Sequence, residues 1–309
     1  MKIRLVSVLA AIAVMAGLPV AATKLLALRH QAELASAQQV SHFPKRYIGV
    51  VSENVPEFDK VCKCHPNAAI HYVSMDEPIS MFLPKLMLAA GAVPVMELEP
   101  YGIPLTKIIA GHKDAWLTRY AKALLSLKAP IIVSFAPEAN GSWYDWGYRH
   151  VSPKVYIQAW RHVVTVFRKA GSGSRIKFAW VMNHWFPQSE ALRLLWPGKS
   201  YVDMFGIDGY FKDKRDNFHR LFLPTIQDMR KLSDAPILIS ETAAGPTAGK
   251  LRAVHDLVRN MFAYHLAGFV WFDIKQPGRY IHQDWRIEIE RPAMAAYRQA
   301  IQRYASPVD

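Results

Sequence analysis

From Tyr47 onward, the sequence alternates short apolar runs with longer amphipathic runs, and this alternation recurs eight times. The short runs have the length and the β-branched content of strands that are buried on both faces of a parallel sheet. The longer runs carry apolar residues at helical spacing, so each predicts a helix that packs on the sheet. Eight strand and helix pairs predict an α/β fold, a single (β/α)8 TIM barrel.

The predicted elements follow directly from these runs. The strands are expected at about 46–52, 69–74, 93–98, 131–135, 176–182, 204–207, 236–240 and 268–272. The helices are expected at about 56–62, 81–90, through Trp116, Tyr120 and Leu124, and at about 153–170, 220–232, 254–266 and 291–304. Pro153 suits a first helical turn, and Gly171 suits the position after a helix end. No shift in composition marks a second domain, so residues 45–306 are predicted to form one catalytic domain.

The amino terminus has the pattern of a targeting segment. Lys2 and Arg4 precede an apolar run from Leu5 to Ala22, and small residues near its end suit cleavage. We interpret residues 1–22 as a signal peptide or, if uncleaved, a membrane anchor, because the run is just long enough to span a bilayer. Residues 23–44 are interpreted as a linker. The protein is expected to be secreted or periplasmic, or else anchored to the inner membrane.

The formal net charge of the chain is +13, and most of it lies beyond the targeting segment. A basic surface attracts anionic partners, such as an acidic polysaccharide or phospholipid headgroups, and it also favours solubility. No run of Lys and Arg is interleaved with aromatic residues, so a nucleic-acid partner is not expected.

The two cysteines, Cys62 and Cys64, are separated by one residue. Two cysteines are too few for a disulfide scaffold, and this spacing differs from that of structural zinc sites. The alternatives are an oxidised pair and two free thiols.

Polar and aromatic residues follow the predicted strands at their C-terminal ends, where (β/α)8 barrels build their sites. These residues are Glu97, Glu99, Glu138, Asn183, His184, Asp208, Tyr210, Glu241, Trp271 and Asp273. We therefore expect one site at this end of the barrel.

Glu138 and Glu241 follow strands four and seven, which face each other across a barrel mouth. Glycoside hydrolysis needs two carboxyl groups, one protonated to assist the leaving oxygen and one ionised to attack the sugar. The alternatives are structural: Glu138 caps a helix or pairs with Arg149, and Glu241 caps the helix that follows.

The neighbouring residues have similar pairs of interpretations. Tyr210 either donates its hydroxyl to a nucleophilic carboxylate or lies in the rim of the core. Trp271 either forms a platform under the sugar or packs between barrel and helix. The remaining candidates for substrate contacts, which are otherwise core or structural residues, are Asn140, Trp143, Tyr144, Trp146, Asn183, His184, Trp185, Glu97 and Asp208.

The sequence resembles glycoside hydrolase family 26 from Tyr47 to about Tyr304. The resemblance rests on the residues 137–147, which read PEANGSWYDWG, on the residues 196–203, WPGKSYVD, leading to 206–210, GIDGY, and on Ser240-Glu241. It implies a retaining, endo-acting hydrolase with Glu138 as acid/base and Glu241 as nucleophile. It further implies that Tyr210 orients Glu241, that Trp271 lies under the sugar, and that no metal or other cofactor is needed.

Members of this family act mostly on β-1,4-mannans, and others act on mixed-linkage β-glucan or β-1,3-xylan. The sequence departs from the family pattern at Pro137, where many members have His, and at Thr242-Ala243-Ala244 after Glu241. The leading hypothesis is thus an exported retaining β-glycanase, β-mannanase-like, that uses two glutamates on β-mannan, β-glucan or an acidic bacterial exopolysaccharide. The alternative is a catalytically weak polysaccharide-binding protein of the same fold that takes part in exopolysaccharide processing.

Overall fold

The computed structural model describes residues 40–277 and 282–305. Eight parallel strands form a closed barrel in chain order, which confirms the predicted (β/α)8 fold. The strands are β1 (Tyr47–Val51), β2 (Ala68–Ser74), β3 (Val93–Glu99), β4 (Ile131–Phe135), β5 (Ile176–Asn183), β6 (Met204–Asp208), β7 (Ile237–Thr242) and β8 (Gly268–Phe272). The predicted targeting segment and most of the predicted linker lie outside the described residues.

The helices surround the barrel and follow the strands in turn. They are α1 (Val55–Cys62), α2 (Phe82–Ala89), α3 (Leu105–Ile109), α4 (Asp114–Leu125), α5 (Pro153–Lys169), α6 (Leu192–Leu195), α7 (Phe218–Leu232), α8 (Lys250–Ala263) and α9 (Arg291–Tyr304). Short 3-10 helices occupy Lys199–Tyr201 and Ile287–Ile289. In the part of the chain that the structure describes, no helix is both long and apolar enough to cross a membrane.

The barrel closes where β1 pairs with β8, with Tyr47 opposite Gly268 and Val51 opposite Phe272. Gly268 has a φ of +145°, and a Cβ at this position would lie 1.8 Å from the carbonyl oxygen of Tyr47. Only glycine fits so close an approach of two backbones. The closure therefore depends on one residue that lacks a side chain.

Helix α5 illustrates how the sequence builds the outer layer. Ser152 caps its first turn, since the Ser152 side chain accepts a hydrogen bond from the backbone N–H of Val155, and Pro153 occupies the first helical position as predicted. Its buried face comprises Tyr156, Ala159, Trp160, Val163, Val164, Val166 and Phe167. This spacing gives one apolar stripe, which packs against the barrel.

Two short helices and one pair of strands were not predicted from the sequence. Helices α3 and α6 are short additions, and the loop after β8 contains an antiparallel pair, β9 (Lys275–Pro277) and β10 (His282–Asp284). Cys62 and Cys64 form a disulfide, so of the two alternatives the oxidised pair is the one present.

Candidate active site

Glu138 lies just beyond β4 on a backbone that is bent sharply. Ala136 and Glu138 both adopt left-handed conformations, with φ of 46° and 54°. These conformations are unfavourable for residues with a Cβ and persist where the surroundings impose them. Here the backbone N–H of Ala136 donates to the Leu98 carbonyl, and that of Glu138 donates to the Val181 carbonyl. These hydrogen bonds to β3 and β5 therefore fix the position of the Glu138 backbone.

Two N–H donors hold the carboxylate of Glu138. The indole Nε1 of Trp143 donates to Oε2 at 2.7 Å, and the amide Nδ2 of Asn183 donates to Oε1 at 2.5 Å. Arg149 donates instead to the hydroxyl of Tyr148, so the predicted alternative of a Glu138–Arg149 pair is not formed. Burial, followed by the negative charge of Glu241, raises the pKa of Glu138 to about 7, although both hydrogen bonds lower it.

Asn140 positions Asn183 rather than contacting solvent. Its side chain is buried, its Nδ2 donates to the Asn183 carbonyl at 2.8 Å, and its Oδ1 accepts from the Asn183 backbone N–H at 2.9 Å. This pair of bonds joins the loop after β4 to the end of β5. Asn140 therefore holds the backbone of Asn183 and does not have the predicted role of binding substrate.

Glu241 lies in β7 near its C-terminal end, and two phenols hold its carboxylate. Tyr210, after β6, donates to Oε2 at 2.5 Å, and Tyr72 on β2 donates to Oε1. Helix α8 begins only after Gly249, so Glu241 does not cap it. Burial raises the pKa of Glu241, and the hydrogen bonds from Tyr210 and Tyr72 oppose this rise.

The ring of Tyr210 is itself fixed by aromatic contacts. Its centroid lies 5.6 Å from that of Phe272, in an edge contact, and 5.0 Å from that of Trp285. Trp271 has no exposed surface, and its Nε1 donates to the Trp285 carbonyl oxygen at 3.0 Å. Since no face of Trp271 is open to a sugar, its position corresponds to the packing alternative, and it supports Trp285 beside Tyr210.

The interior of the barrel below the two glutamates holds further acids. Asp208 accepts a hydrogen bond from the hydroxyl of Ser240 at 2.6 Å, and Glu97 is buried without a hydrogen-bond partner among the described residues. Gly206 makes room for this arrangement, because a Cβ there would lie 2.6 Å from the Ser240 oxygen. Glu97 and Asp208 are each about 1% exposed, so neither is open to substrate as predicted.

Burial and mutual repulsion raise the pKa values of these acids, so they are not all ionised at the same time. Burial, followed by repulsion from Glu241, raises the pKa of Glu97 and of Asp208 well above the usual range and that of Glu99 to about 8. Repulsion between Glu138 and Glu241 is mutual, so the acids of the cluster do not all ionise together. Glu241 is the acid of this cluster that accepts from two phenol hydroxyls, and these hydrogen bonds favour its ionised form.

Aromatic side chains form an open rim beside Glu138. Trp143 and Trp185 are about half exposed, and the ring of Trp143 lies 5.6 Å from that of Phe186. His184 donates its Nδ1 hydrogen to the Trp185 carbonyl oxygen, and burial lowers its pKa, so its neutral ring offers Nε2 as an acceptor. This rim presents flat faces and one hydrogen-bond acceptor to a ligand.

Trp146 does not belong to that rim. It is buried, it stacks on Tyr144 at 4.5 Å, and its Nε1 donates to the Pro137 carbonyl oxygen at 2.6 Å. The prediction that Trp146 contacts substrate is therefore corrected. Trp146 lies behind the turn that carries Glu138 and stabilises it.

Two residues of the site were missed in the sequence, Tyr72 and Trp285. The signal for Tyr72 is its place in the second strand, where it pairs in register with Glu97. Trp285 lies after the last barrel strand, β8, in a segment for which the sequence pattern predicts no element. Within residues 40–277 and 282–305, no three His, Cys, Asp or Glu side chains are placed to hold a metal ion.

The fold and these contacts define a class: (β/α)8 barrels with one carboxyl group after strand four and a second at the end of strand seven. The model of glycosyl hydrolase family 26 matches residues 106–299, and the chain belongs to this family. The match lies inside the span over which the sequence resembled the family.

Two curated relatives are similar to parts of the chain. Endoglucanase H of Acetivibrio thermocellus is 30% identical over 229 residues, which cover 68% of this chain and 24% of that protein. Mannan endo-1,4-β-mannosidase of Bifidobacterium adolescentis is 30% identical over 107 residues, 34% of this chain and 11% of that protein. The chain thus spans about a quarter or less of the length of these relatives.

Solved structures share the fold. A family 26 β-mannanase from Bacteroides ovatus superimposes with a TM-score of 0.63 at 17% identity, covering 85% of this chain and 89% of that one. The catalytic domain of a family 26 endo-β-1,4-mannanase from Bacillus sp. JAMB-750 gives a TM-score of 0.61 at 16% identity, covering 80% and 78%. At such identities the likeness concerns the architecture of the barrel.

Proposed function

We propose that the protein is a retaining endo-β-glycanase in which Glu138 is the acid/base and Glu241 is the nucleophile. One observation carries this proposal: two carboxyl groups, that of Glu241 buried and that of Glu138 partly buried, lie within each other's electrostatic field, yet they have different hydrogen-bond donors. The pKa of Glu138 is raised to about 7, so it keeps a proton that it can give. Glu241 carries the charge that an attacking group needs.

In the first step, Glu138 gives its proton to the glycosidic oxygen while the bond from that oxygen to C1 breaks. An oxygen of Glu241 attacks C1 from the opposite face, and a covalent glycosyl ester forms. The sugar passes through an oxocarbenium-like transition state, which the negative charge of Glu241 stabilises. The leaving chain departs with the proton of Glu138.

In the second step, a water molecule replaces the leaving chain. Glu138, now ionised, takes a proton from this water as the oxygen attacks C1, and the bond to Glu241 breaks. Two inversions at C1 give a product with the original β configuration. Glu138 is protonated again and Glu241 is again a carboxylate, so the enzyme returns to its starting state.

The substrate class that we propose is a β-linked polysaccharide of glucose or mannose units. Support comes from the endoglucanase and mannosidase relatives and from the aromatic rim of Trp143, Trp185 and Phe186 beside Glu138. Sugars stack on such exposed rings through their apolar faces. Many family members have a histidine where this chain has Pro137, and the chain therefore lacks that imidazole. We propose β-glucan and β-mannan equally as substrates for this reason.

An acidic exopolysaccharide is a further substrate that we include. Lys212, on the loop after β6, is exposed, and its charge lowers the pKa of Glu138. Among the described residues no carboxylate forms an ion pair with Lys212, so its ammonium group is open to an anionic substituent of a sugar. The basic charge of the whole chain acts in the same direction at long range.

We also propose that the protein is exported and acts outside the cytoplasm. The support is the pair Lys2 and Arg4 followed by the apolar run to Ala22. Fractionation of expressing cells and mass spectrometry of the amino terminus test this point. A mature chain that begins after about residue 22 is expected for a secreted or periplasmic protein, and an intact terminus in the inner-membrane fraction indicates an anchor. An intact chain in the cytoplasm contradicts export.

The function is tested with a panel of β-mannans, β-glucans and acidic bacterial exopolysaccharides, with chromatography and mass spectrometry of the products. Oligosaccharides are expected from at least one polymer, and they should disappear in Glu138→Ala and Glu241→Ala. Glu53→Ala is the control, because Glu53 is an exposed acid after β1 at the same end of the barrel. Binding of a polymer without any cleavage supports the alternative, a polysaccharide-binding protein.

A further inference from the structure

Tyr72 lies on β2 and is paired in register with Glu97 of β3. Its hydroxyl donates to Oε1 of Glu241, and the hydroxyl of Tyr210 donates to Oε2. The two phenols come from different parts of the barrel, since Tyr210 follows β6. Each oxygen of the Glu241 carboxylate therefore has its own neutral donor.

We propose that Tyr72 is a positioning residue for Glu241: together with Tyr210 it fixes the orientation of this carboxyl group and stabilises its ionised form through one hydrogen bond to each oxygen. The electrostatic part of this inference stands on its own, and the part that concerns catalysis rests on the proposed function. Tyr72 acts through Glu241 and is not itself placed on the reacting sugar.

The surroundings of Glu241 explain why two donors are needed. Burial disfavours a charged carboxyl group, and any ionised neighbour disfavours it further. The titratable and charged groups whose fields reach Glu241 are Tyr72 of β2, Glu97 and Glu99 of β3, Glu138 and Tyr144 of the loop after β4, and Asp208 and Tyr210 of β6 and its loop. None of these groups is a cation, so hydrogen bonds provide the stabilisation of the charge.

Phenols suit this role because they stay protonated in this environment. Burial, followed by the charge of Glu241, raises the pKa of Tyr72 and of Tyr210 well above the usual value for tyrosine. Each hydroxyl therefore keeps its proton and donates to the carboxylate without adding charge.

The geometry has a second consequence. A carboxylate with a single donor is free to turn about its own bond, whereas donors on both oxygens, from opposite strands, fix its plane. In the proposed reaction one oxygen attacks C1, and each oxygen still has lone pairs that the phenols do not use. A fixed plane reduces the entropy that is lost on reaching the transition state.

The inference is tested by titrating Glu241 directly. The protein is labelled with glutamate carrying ¹³C at the side-chain carboxyl, the signal of Glu241 is assigned by its loss in Glu241→Gln, and its pKa is measured by NMR. Tyr72→Phe keeps the ring and removes the hydroxyl. The pKa of Glu241 is expected to rise by about one to two pH units in this variant, which corresponds to the loss of one hydrogen bond to a charged group.

The matched control is Tyr120→Phe. Tyr120 is more deeply buried than Tyr72, but its hydroxyl has no hydrogen-bond partner among the described residues, and it lies on α4. Its removal should leave the titration of Glu241 unchanged. Replacing Tyr72 with 3,5-difluorotyrosine gives the opposite change, because fluorine makes the hydroxyl a stronger donor, and the pKa of Glu241 should then fall.

A folded Tyr72→Phe protein in which Glu241 titrates as in the wild type overturns the inference. If Tyr72→Phe does not fold, the fluorinated protein decides, and an unchanged titration there overturns it as well. None of these measurements needs a substrate. Absence of hydrolysis by the wild type therefore contradicts the proposed function while the NMR titration still decides the role of Tyr72.

Discussion

Two barrel strands, β4 and β7, have a glutamate at or just beyond their C-terminal ends, and the two glutamates differ in their backbone and in their hydrogen-bond donors. After β4, Glu138 accepts from the N–H groups of Trp143 and Asn183 on a strained backbone. On β7, Glu241 accepts from the hydroxyls of Tyr72 and Tyr210, at a point where the register of the strand with β6 and β8 shifts. Glu241 is buried and Glu138 is partly buried, and each carboxyl group accepts two hydrogen bonds.

Each group accepts two hydrogen bonds, so the number of bonds alone does not assign the proton. Repulsion between the two carboxyl groups is mutual, and together with burial it raises the pKa of Glu138 to about 7. Like charges so close together disfavour double ionisation, so one group holds the proton when the other is charged. In the proposed reaction the strand-seven carboxylate is the nucleophile and the strand-four carboxyl group is the acid.

Removing the strand-seven carboxylate should have the largest effect. Glu241→Ala loses the group that forms the covalent bond, and kcat/KM is expected to fall by roughly 10⁵-fold or more. Added azide should restore part of the activity by attacking C1 in place of Glu241 and should yield an α-glycosyl azide. A variant that retains more than about a hundredth of the activity on the same polymer contradicts the role of Glu241.

Replacing Glu138 should reduce activity less on a substrate whose leaving group departs without a proton. Glu138→Ala is expected to lose roughly 10² to 10⁴-fold on a polysaccharide, which requires acid assistance. On an aryl glycoside with a dinitrophenol leaving group, formation of the glycosyl-enzyme should stay fast while its hydrolysis slows. Pre-steady-state release of dinitrophenol measures both steps, and equal losses on the two substrates contradict the assignment of Glu138 as acid/base.

The N–H donors should set the upper pH limit of activity. Asn183→Ala removes a donor that stabilises the ionised form of Glu138, so the pKa of Glu138, about 7 in the wild type, should rise by about one pH unit. Because the proposed reaction needs protonated Glu138, the alkaline limb of kcat/KM should move to higher pH.

Trp143→Phe should move this limb in the same direction, since it removes the other donor and keeps an aromatic ring. The backbone contacts of residue 183 with Asn140 are retained in Asn183→Ala, which separates electrostatics from support. An alkaline limb that stays in place in both variants would show that Glu138 does not control it.

The smallest expected effect is on stability. The folded state holds protons on Glu99 and Glu138 to pH values of about 8 and 7, whereas the unfolded chain releases them near 4.5. Above that value the unfolded state binds fewer protons, so stability should fall as pH rises from about 4.5 to 8. Thermal unfolding should show a Tm that is several degrees lower at pH 8 than at pH 5.

Glu99→Gln should flatten this dependence, because the variant has no proton to lose at position 99. The exposed Glu53→Gln serves as the control and should keep the wild-type slope. A Tm that rises steadily across the same pH range would show that these acids are ionised in the folded protein.

The sequence was sufficient to predict the barrel. Strands β4 and β8 have the predicted bounds, and the others differ by one or two residues, because apolar runs bounded by turns and polar residues mark buried strands clearly. The position of Glu138 and Glu241 at the ends of two strands follows from the same pattern. The closed barrel then brings the C-terminal ends of all its strands together at one mouth.

The orientation of side chains could not be predicted in the same way. A strand that is buried on both faces is apolar on both, so its sequence does not tell which residues point into the barrel. The sequence therefore leaves open whether Trp271 lies under a sugar or packs in the core, where the structure has it, and it does not indicate that Tyr72 contacts Glu241. Both follow from the register of the strands, which depends on contacts between distant parts of the chain.

The assignment of roles to the two glutamates is tested most directly by trapping the covalent intermediate. The protein is incubated with dinitrophenyl 2-deoxy-2-fluoro-β-cellobioside and with the corresponding mannobioside, digested, and examined by tandem mass spectrometry. The account predicts one glycosyl group attached to Glu241, formed also in Glu138→Ala. A label on Glu138 or on any other residue would contradict the account.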